Sequence, residues 1–192
     1  RADGYAVVDY ATASRNGEPF EALIQKRKYL PNTFARFCTS ELKIVPMKKY
    51  LKSLGHEEIV TFVGIRADEP RRVAKMKTNE DIKETPLATA NVTVAEVLSF
   101  WDKQPFNLQT ITVNGNSLLS NCDLCFLKKA DHLLGLIQDK PERAVWWANM
   151  EQKIGARFNQ AHPSYEAMLN YNEKQRDMFD PNEESIACFC GE

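Results

Sequence analysis

Apolar residues recur at helical spacing in the first part of the chain, beside residues that commonly begin or end helices. Pro19 suits a first helical turn, and the apolar stripe after it predicts a helix to about Tyr29. A second stripe predicts a helix from about Ile44 to Leu54, and Gly55 would end it.

The later part of the chain carries three further helix signals. Thr93 and Glu96 have the spacing of a capping box, which predicts a helix through about Lys103. Pro141 and Pro163 each stand where an apolar stripe of helical period begins, so each predicts the start of a helix.

Two stretches have the pattern of strands. Residues 5–10 predict a short strand. The nearly continuous apolar run from Ile59 to Ile65 is typical of a strand that is buried on both faces. Such strands belong to parallel sheets flanked by helices, so we expect an α/β fold.

The composition is that of a globular chain with an uneven charge distribution. The 192 residues are 43% hydrophobic, which allows one domain with a real core. The net charge is −1, but residues 26–77 carry a local charge of +8 and residues 139–192 one of −4. A basic half favours an anionic ligand such as a nucleotide, although solvated helix faces would give the same count. No apolar stretch approaches the roughly 20 residues of a membrane span, so we expect no membrane association.

The five cysteines favour a metal site over disulfides. Cys122 and Cys125 have the two-residue gap that lets two sulfurs bind one metal ion or one iron–sulfur cluster. A full site usually needs four ligands, so the others must come from Cys38, Cys188 and Cys190. The alternative is a pair of ordinary buried thiols. An odd number of cysteines at low density disfavours disulfides and indicates a cytoplasmic location.

Basic residues follow the apolar run directly. In open α/β sheets, ligands bind beyond the carboxyl ends of the strands, where arginines can bind phosphate or sulfate oxygens. The candidate anion-binding residues are Lys43, Arg66, Arg71 and Arg72, with Glu69 orienting an arginine. The alternatives are a turn held by internal ion pairs and, for Lys43, an ordinary surface lysine. No histidine has a serine or carboxylate at motif spacing, so no catalytic residue is assigned. Trp101, Trp146 and Trp147 lie in helical patterns, which favours core positions over a base-stacking platform.

Three of these stretches together resemble the phosphoadenosine phosphosulfate reductase family of the adenine-nucleotide α-hydrolase (PP-loop) superfamily, especially its phage-type members. They are Arg36 to Met47, Gly64 to Arg72, and Asn121 to Cys125. The resemblance covers residues from about Asn16 to Lys129. It implies a Rossmann-like parallel sheet flanked by helices, a helical C-terminal part, and ATP or another adenine nucleotide as ligand. Lys43 and the Arg66 to Arg72 segment would face its anionic groups.

The resemblance also implies a cofactor. In the adenylylsulfate-reducing branch of the family, two adjacent cysteines and a later pair hold a 4Fe–4S cluster. Cys38 matches the first of these cysteines, and Cys122 with Cys125 matches the later pair. Thr39 stands in place of the second adjacent cysteine, so Cys188 or Cys190 would complete the set.

The resemblance sets the expected domain organisation as well. Residues 1–192 would be a single domain without its N-terminal phosphate-loop strand, since no Ser-Gly-Gly loop is present. Residues 130–192 would be its helical extension. Near the end, Cys190-Gly191-Glu192 loosely resembles the Glu-Cys-Gly motif that carries the family's catalytic cysteine.

Two functions follow as expectations. The first is an adenine-nucleotide-binding enzyme with an iron–sulfur cluster, a reductase or a sulfur or adenylyl transferase, with a nucleic acid or a sulfur carrier as a further partner. The second is a non-catalytic module that is stabilised by a bound zinc ion and binds nucleic acid through its basic half.

Overall fold

The structure is a computed structural model that describes residues 4–80, 82–106, 112–113, 116–117 and 122–171. The described residues form two compact units. One unit comprises the residues up to Met47 and those from Thr112 onward, and the other runs from Lys48 to Phe106. The expectation of one domain stays a prediction.

The first unit is mainly helical. Its elements are α1 (Glu18–Arg27), α2 (Phe37–Thr39), a π-helical turn (Ser40–Ile44), the antiparallel pair β3 (Thr112–Val113) and β4 (Asn116–Ser117), α7 (Ala130–Asp139), α8 (Glu142–Ile154) and α9 (Tyr165–Leu169). The second unit contains β1 (Thr61–Phe62), α4 (Pro70–Met76), β2 (Ile82–Glu84), α5 (Pro86–Thr89) and α6 (Val94–Asp102). Helix α3 (Val45–Ser53) includes the boundary between them.

Several predicted helices are confirmed. Pro19 lies in the first turn of α1, and Pro141 is the N-cap of α8. The Glu96 carboxylate accepts a hydrogen bond from the Thr93 amide at 2.7 Å, and the Thr93 side chain accepts one from the Glu96 amide, as a capping box requires. After α3, the His56 amide donates to the carbonyl of Leu51 at 3.3 Å, a Schellman-type end around Gly55.

Helix α3 starts differently from the prediction. The chain is already helical from Phe37, and a π-helical turn leads into α3, with the Val45 amide donating to the Ser40 carbonyl. Pro46 has no amide hydrogen, and its ring would crowd the carbonyl four residues earlier in a regular helix. The wider π turn gives the chain room to pass through this proline.

The predicted strand at residues 5–10 is wrong. The Asp9 carboxylate accepts hydrogen bonds from the amides of Ala11 at 3.0 Å and Thr12 at 2.8 Å, and the chain turns there. The hydroxyl of Thr12 donates to the same carboxylate at 2.7 Å, and together these hydrogen bonds lower the pKa of Asp9. An aspartate that satisfies backbone amides in this way favours a turn over a strand.

The parallel pairing expected of the apolar run is present, but its full burial is not. Strands β1 and β2 are parallel, with Thr61 opposite Ile82, and α4 lies between them in the chain. Val60 is 61% exposed and Phe62 58% exposed, whereas Ile65 is 1% exposed. A mixed chain of helices with a small parallel sheet is therefore shown, and the larger Rossmann-like sheet stays a prediction.

The main hydrophobic core lies in the first unit. It joins one side of α1 to α7, α8 and α9 and to the segment around the cysteine pair. Its members with no exposed surface are Ile24, Leu124, Leu133, Ala144 and Phe158. None of the helices in the described part of the chain is long and apolar enough to cross a membrane.

Candidate functional site

Three of the five cysteines line one cavity in the first unit. The cavity has a volume of about 350 Å³, and its walls include Cys38, Cys122 and Cys125. Cys38 lies in the short helix α2, and the other two bracket a tight turn before α7. The fold thus brings together thiols that are 84 residues apart in sequence. Cys188 and Cys190 lie outside the described residues.

The turn between the paired cysteines has an unusual backbone. The Cys125 amide donates to the Cys122 carbonyl at 3.2 Å, which closes the turn. Leu124 adopts a left-handed conformation with φ of 46°, although it is not a glycine. This conformation costs a branched residue about 1–2 kcal/mol. The complete burial of the Leu124 side chain offsets that cost, since burying a leucine contributes about 1.5–3 kcal/mol.

The three thiols differ in exposure. Cys122 is exposed, Cys38 is half-buried and Cys125 is 7% exposed. Burial raises the pKa of the Cys38 thiol, and the charge of the neighbouring Cys122 raises it further. Hydrogen bonds with Thr39 and the ammonium of Lys43 act in the opposite direction. Without a bound cation, Cys38 is therefore a neutral thiol at pH 7.

Basic side chains surround the thiols. Among the residues that the structure describes, the cavity walls include the cations Arg15, Arg36, Lys43 and Arg143 and one carboxylate, that of Asp123. Arg143 Nη1 lies 3.5 Å from Asp123 Oδ1. Four cations and one anion around a largely apolar cavity give it a positive potential, which favours an anionic ligand.

Aromatic rings form another part of the wall. Phe20, Trp146 and Trp147 line the cavity, and the two indole rings meet edge to face at 5.2 Å. Trp146 packs against Gly17, where a Cβ atom would lie 2.8 Å from the indole Nε1. The prediction that tryptophans are core residues suits Trp147, which is 7% exposed and belongs to the core. Trp146 is only partly buried at the edge of that core.

Helix α9 and the loop that precedes it hold the cysteine turn in place. The Tyr165 hydroxyl donates to the Leu124 carbonyl at 2.6 Å, and Asn159 Nδ2 donates to the Phe126 carbonyl at 3.1 Å. Burial raises the pKa of Tyr165 well above its ordinary value, and the nearby Cys125 and Glu151 add to the effect. Tyr165 therefore acts only as a neutral hydrogen-bond donor.

The predicted arginine segment lies in the second unit. Arg66 pairs with Asp68 at 2.8 Å and with Glu69 at 3.6 Å, and Glu69 also pairs with Arg72. Arg71 is an exposed residue in the first turn of α4. The internal ion pairs are those that the alternative interpretation expected. A role of these residues in anion binding stays a prediction.

Asp68 also links this segment to the start of α6, because its Oδ2 accepts a hydrogen bond from the Val94 amide at 3.1 Å. Burial acts to raise the pKa of Asp68, but the bonds from Val94 and Arg66 outweigh it and lower the pKa. The turn is thus tied to a neighbouring helix within its own unit.

Sequence reasoning found the cysteines and Lys43 but missed most of the cavity's other residues. Arg15 and Arg143 belong to no motif, and only packing brings them beside the thiols. Arg36 precedes Cys38 by two residues, and that proximity was the one available signal.

The cavity thiols are the candidate metal ligands of the described residues. Among the residues that the structure describes, no group of three or more histidine, cysteine, aspartate or glutamate side chains is arranged to hold a metal ion. In tetrahedral zinc sites with bonds of about 2.3 Å, the sulfurs lie roughly 3.8 Å apart. A four-iron cluster is larger than one ion, so its thiolates lie farther apart. Three thiols that line one cavity are ligands of the type that hold iron–sulfur clusters, one fewer than a complete set, and a bound cluster stays a prediction.

Comparison with known proteins finds a distant similarity to a phage protein. The chain is 32% identical over 120 residues to the uncharacterized nin region protein ORF290 of Escherichia phage lambda. The matched stretch covers 62% of this chain and 38% of the phage protein, so the chain spans well under half of that relative. No family model matches the chain, and no solved structure matches it significantly.

Proposed function

We propose that this chain belongs to an adenine-nucleotide-binding enzyme that resembles the phosphoadenosine phosphosulfate reductases and carries a cysteine-ligated iron–sulfur cluster. Its full fold would be a Rossmann-like parallel sheet. Its chemistry would be the reduction or transfer of a sulfur group, or attack at the nucleotide's α-phosphate. A nucleic acid or a sulfur carrier would be the further partner.

The observation that carries the proposal is the shared cavity of Cys38, Cys122 and Cys125. Packing in the core would suit Cys125, but it gives no reason for the exposed Cys122, the half-buried Cys38 and four cationic side chains to line the same cavity. A bound cluster would deprotonate these thiols, and the basic side chains would stabilise the resulting negative charge. One tail cysteine, Cys188 or Cys190, would complete the set.

The cavity also supports a nucleotide ligand. Arginine and lysine side chains bind phosphate oxygens by charge-assisted hydrogen bonds, and an aromatic wall offers a surface for a base. When bound, the cluster would supply electrons or a binding point for sulfur. The residues of this chain would hold the anion beside it and exclude water from the apolar part of the cavity.

Metal analysis tests the cluster. We expect anaerobically purified protein to contain iron and sulfide and to absorb broadly in the visible region, and Cys122→Ala to lose both. Thr39→Cys is the matched variant that adds a thiol where Cys122→Ala removes one, because Thr39 is a buried residue of the same cavity wall. It should keep or increase the iron content. Iron absent from both the wild type and Thr39→Cys would refute the cluster.

Nucleotide binding is tested separately. Lys43→Ala and Arg143→Ala should each weaken ATP binding by about 10- to 100-fold, the effect of one charge-assisted hydrogen bond. Lys140→Ala, at the exposed end of α7, is the control and should leave the affinity unchanged. If Lys43→Ala and Arg143→Ala bind ATP as tightly as Lys140→Ala does, the cavity is not the nucleotide site.

Zinc in place of iron would favour the second function, a zinc-stapled module that binds nucleic acid. DNA or RNA binding by that module would weaken steeply as salt is added.

A further inference from the structure

One hydrogen bond connects helix α9 to the turn between the paired cysteines. The Tyr165 hydroxyl donates to the Leu124 carbonyl at 2.6 Å, and both residues are buried. Leu124 is the left-handed residue of that turn, so its carbonyl belongs to the peptide group whose orientation sets where Cys125 lies.

The position of the hydroxyl is fixed independently of the turn. The Tyr165 ring stacks on Trp147 with centroids 5.2 Å apart and meets Phe158 edge to face at 5.9 Å. The Tyr165 amide donates to Glu151 Oε2 at 2.8 Å. These three contacts hold the ring and the backbone, and the hydroxyl is left to hold Leu124.

A second bond holds the other side of Cys125. Asn159 Nδ2 donates to the Phe126 carbonyl at 3.1 Å, and Glu151 Oε1 accepts the Phe158 amide at 3.1 Å. The buried Glu151 carboxylate therefore accepts hydrogen bonds from the amides of both Phe158 and Tyr165. These two residues are the ends of the loop that carries Asn159.

We infer that Tyr165 is a positioning residue for the cysteine pair: its hydroxyl holds the Leu124 peptide in the left-handed turn and so places the Cys125 thiol against the cavity. The expected effect on metal binding rests on the proposed function. The expected effect on the reactivity of the Cys125 thiol in metal-free protein does not.

The bare thiol gives the primary test. Tyr165→Phe removes the hydroxyl and keeps the ring. Cys125 is 7% exposed, so its alkylation by iodoacetamide requires the turn to open and follows the population of the open form. Loss of one buried hydrogen bond should raise that rate about fivefold in metal-free protein. Peptide-resolved mass spectrometry reads each thiol, and the exposed Cys122 should keep its rate.

Met168→Ala is the matched control for general loss of stability. Met168 is buried in the same helix and makes no hydrogen bond to the turn that the structure records among the described residues. It should lower the stability of the first unit without speeding Cys125 alkylation. Equal acceleration in Met168→Ala and Tyr165→Phe, or none in Tyr165→Phe, would overturn the inference, because Tyr165 would then be an ordinary core residue.

Metal binding gives the second test. Titration of Zn²⁺ as a probe should show about fivefold weaker binding by Tyr165→Phe than by the wild type, with Met168→Ala unchanged. Equal affinity in the wild type and Tyr165→Phe would count against the inference. If wild-type protein binds neither zinc nor iron, the proposed function fails, and the alkylation rates still decide the role of Tyr165.

Discussion

The contact between Gly17 and Trp146 allows a quantitative test of how the cavity wall is built. At Gly17, with φ of +84°, a Cβ atom would lie 2.8 Å from both Cε2 and Nε1 of Trp146. Gly17→Ala therefore meets two costs, the left-handed backbone and the collision with the indole.

Two other glycines separate these costs. At Gly155, with φ of +70°, a Cβ atom would meet nothing within 4 Å, so Gly155→Ala should cost only the backbone strain of about 1–2 kcal/mol. At Gly135, inside α7, a Cβ would also meet nothing within 4 Å, and Gly135→Ala should stabilise by about 0.5–1 kcal/mol. Overpacking adds about 1–3 kcal/mol, so Gly17→Ala should cost about 2–5 kcal/mol in total.

Urea unfolding measures the series. A Trp101→Phe background removes the indole of the second unit, so that the fluorescence reports on Trp146 and Trp147 in the first. From the most to the least stable protein, the expected order is Gly135→Ala, wild type, Gly155→Ala and Gly17→Ala. A shift in the emission of folded Gly17→Ala should accompany the displaced indole. If Gly17→Ala and Gly155→Ala lose the same free energy of unfolding, Trp146 does not pack on Gly17 and the described cavity wall is wrong.

Two predictions concern ionisable groups. Burial raises the pKa of Glu151 despite the hydrogen bonds from the Tyr165 and Phe158 amides, so the folded state holds this proton to higher pH than the unfolded chain does. The contribution of Glu151 to the free energy of unfolding is then complete below the ordinary glutamate pKa of 4.5, falls as the pH rises to the folded-state pKa, and is constant above it. In urea unfolding, the wild type minus Glu151→Gln difference should follow that course, and a difference that grows with pH would contradict it. For Cys38, the raised pKa should move its alkylation profile to higher pH than that of a free cysteine in metal-free protein, and Cys122→Ser should move it back toward lower pH by removing a neighbouring negative charge. An unchanged Cys38 profile in Cys122→Ser would mean that the two sulfurs are not neighbours.

The sequence determined those elements whose signals are local. The prolines at the starts of α1 and α8, the capping box of α6 and the glycine after α3 each act on backbone groups within a few residues. The parallel pairing of the apolar run at Ile59–Ile65 also followed from its residues. At residues 5–10 the local pattern misled, because Asp9 satisfies the amides of Ala11 and Thr12 within a turn.

Only the tertiary structure decided which distant residues meet. The sequence could propose that Cys38 joins Cys122 and Cys125, but the packing of α1, α8 and the cysteine turn places them around one cavity. The same packing places Arg15 and Arg143, which belong to no motif, in the cavity wall. The left-handed turn at Leu124 needs a buried leucine and a hydroxyl from Tyr165, 41 residues later. Such a conformation is unfavourable by itself, and only the energy of packing and hydrogen bonding in the folded unit maintains it.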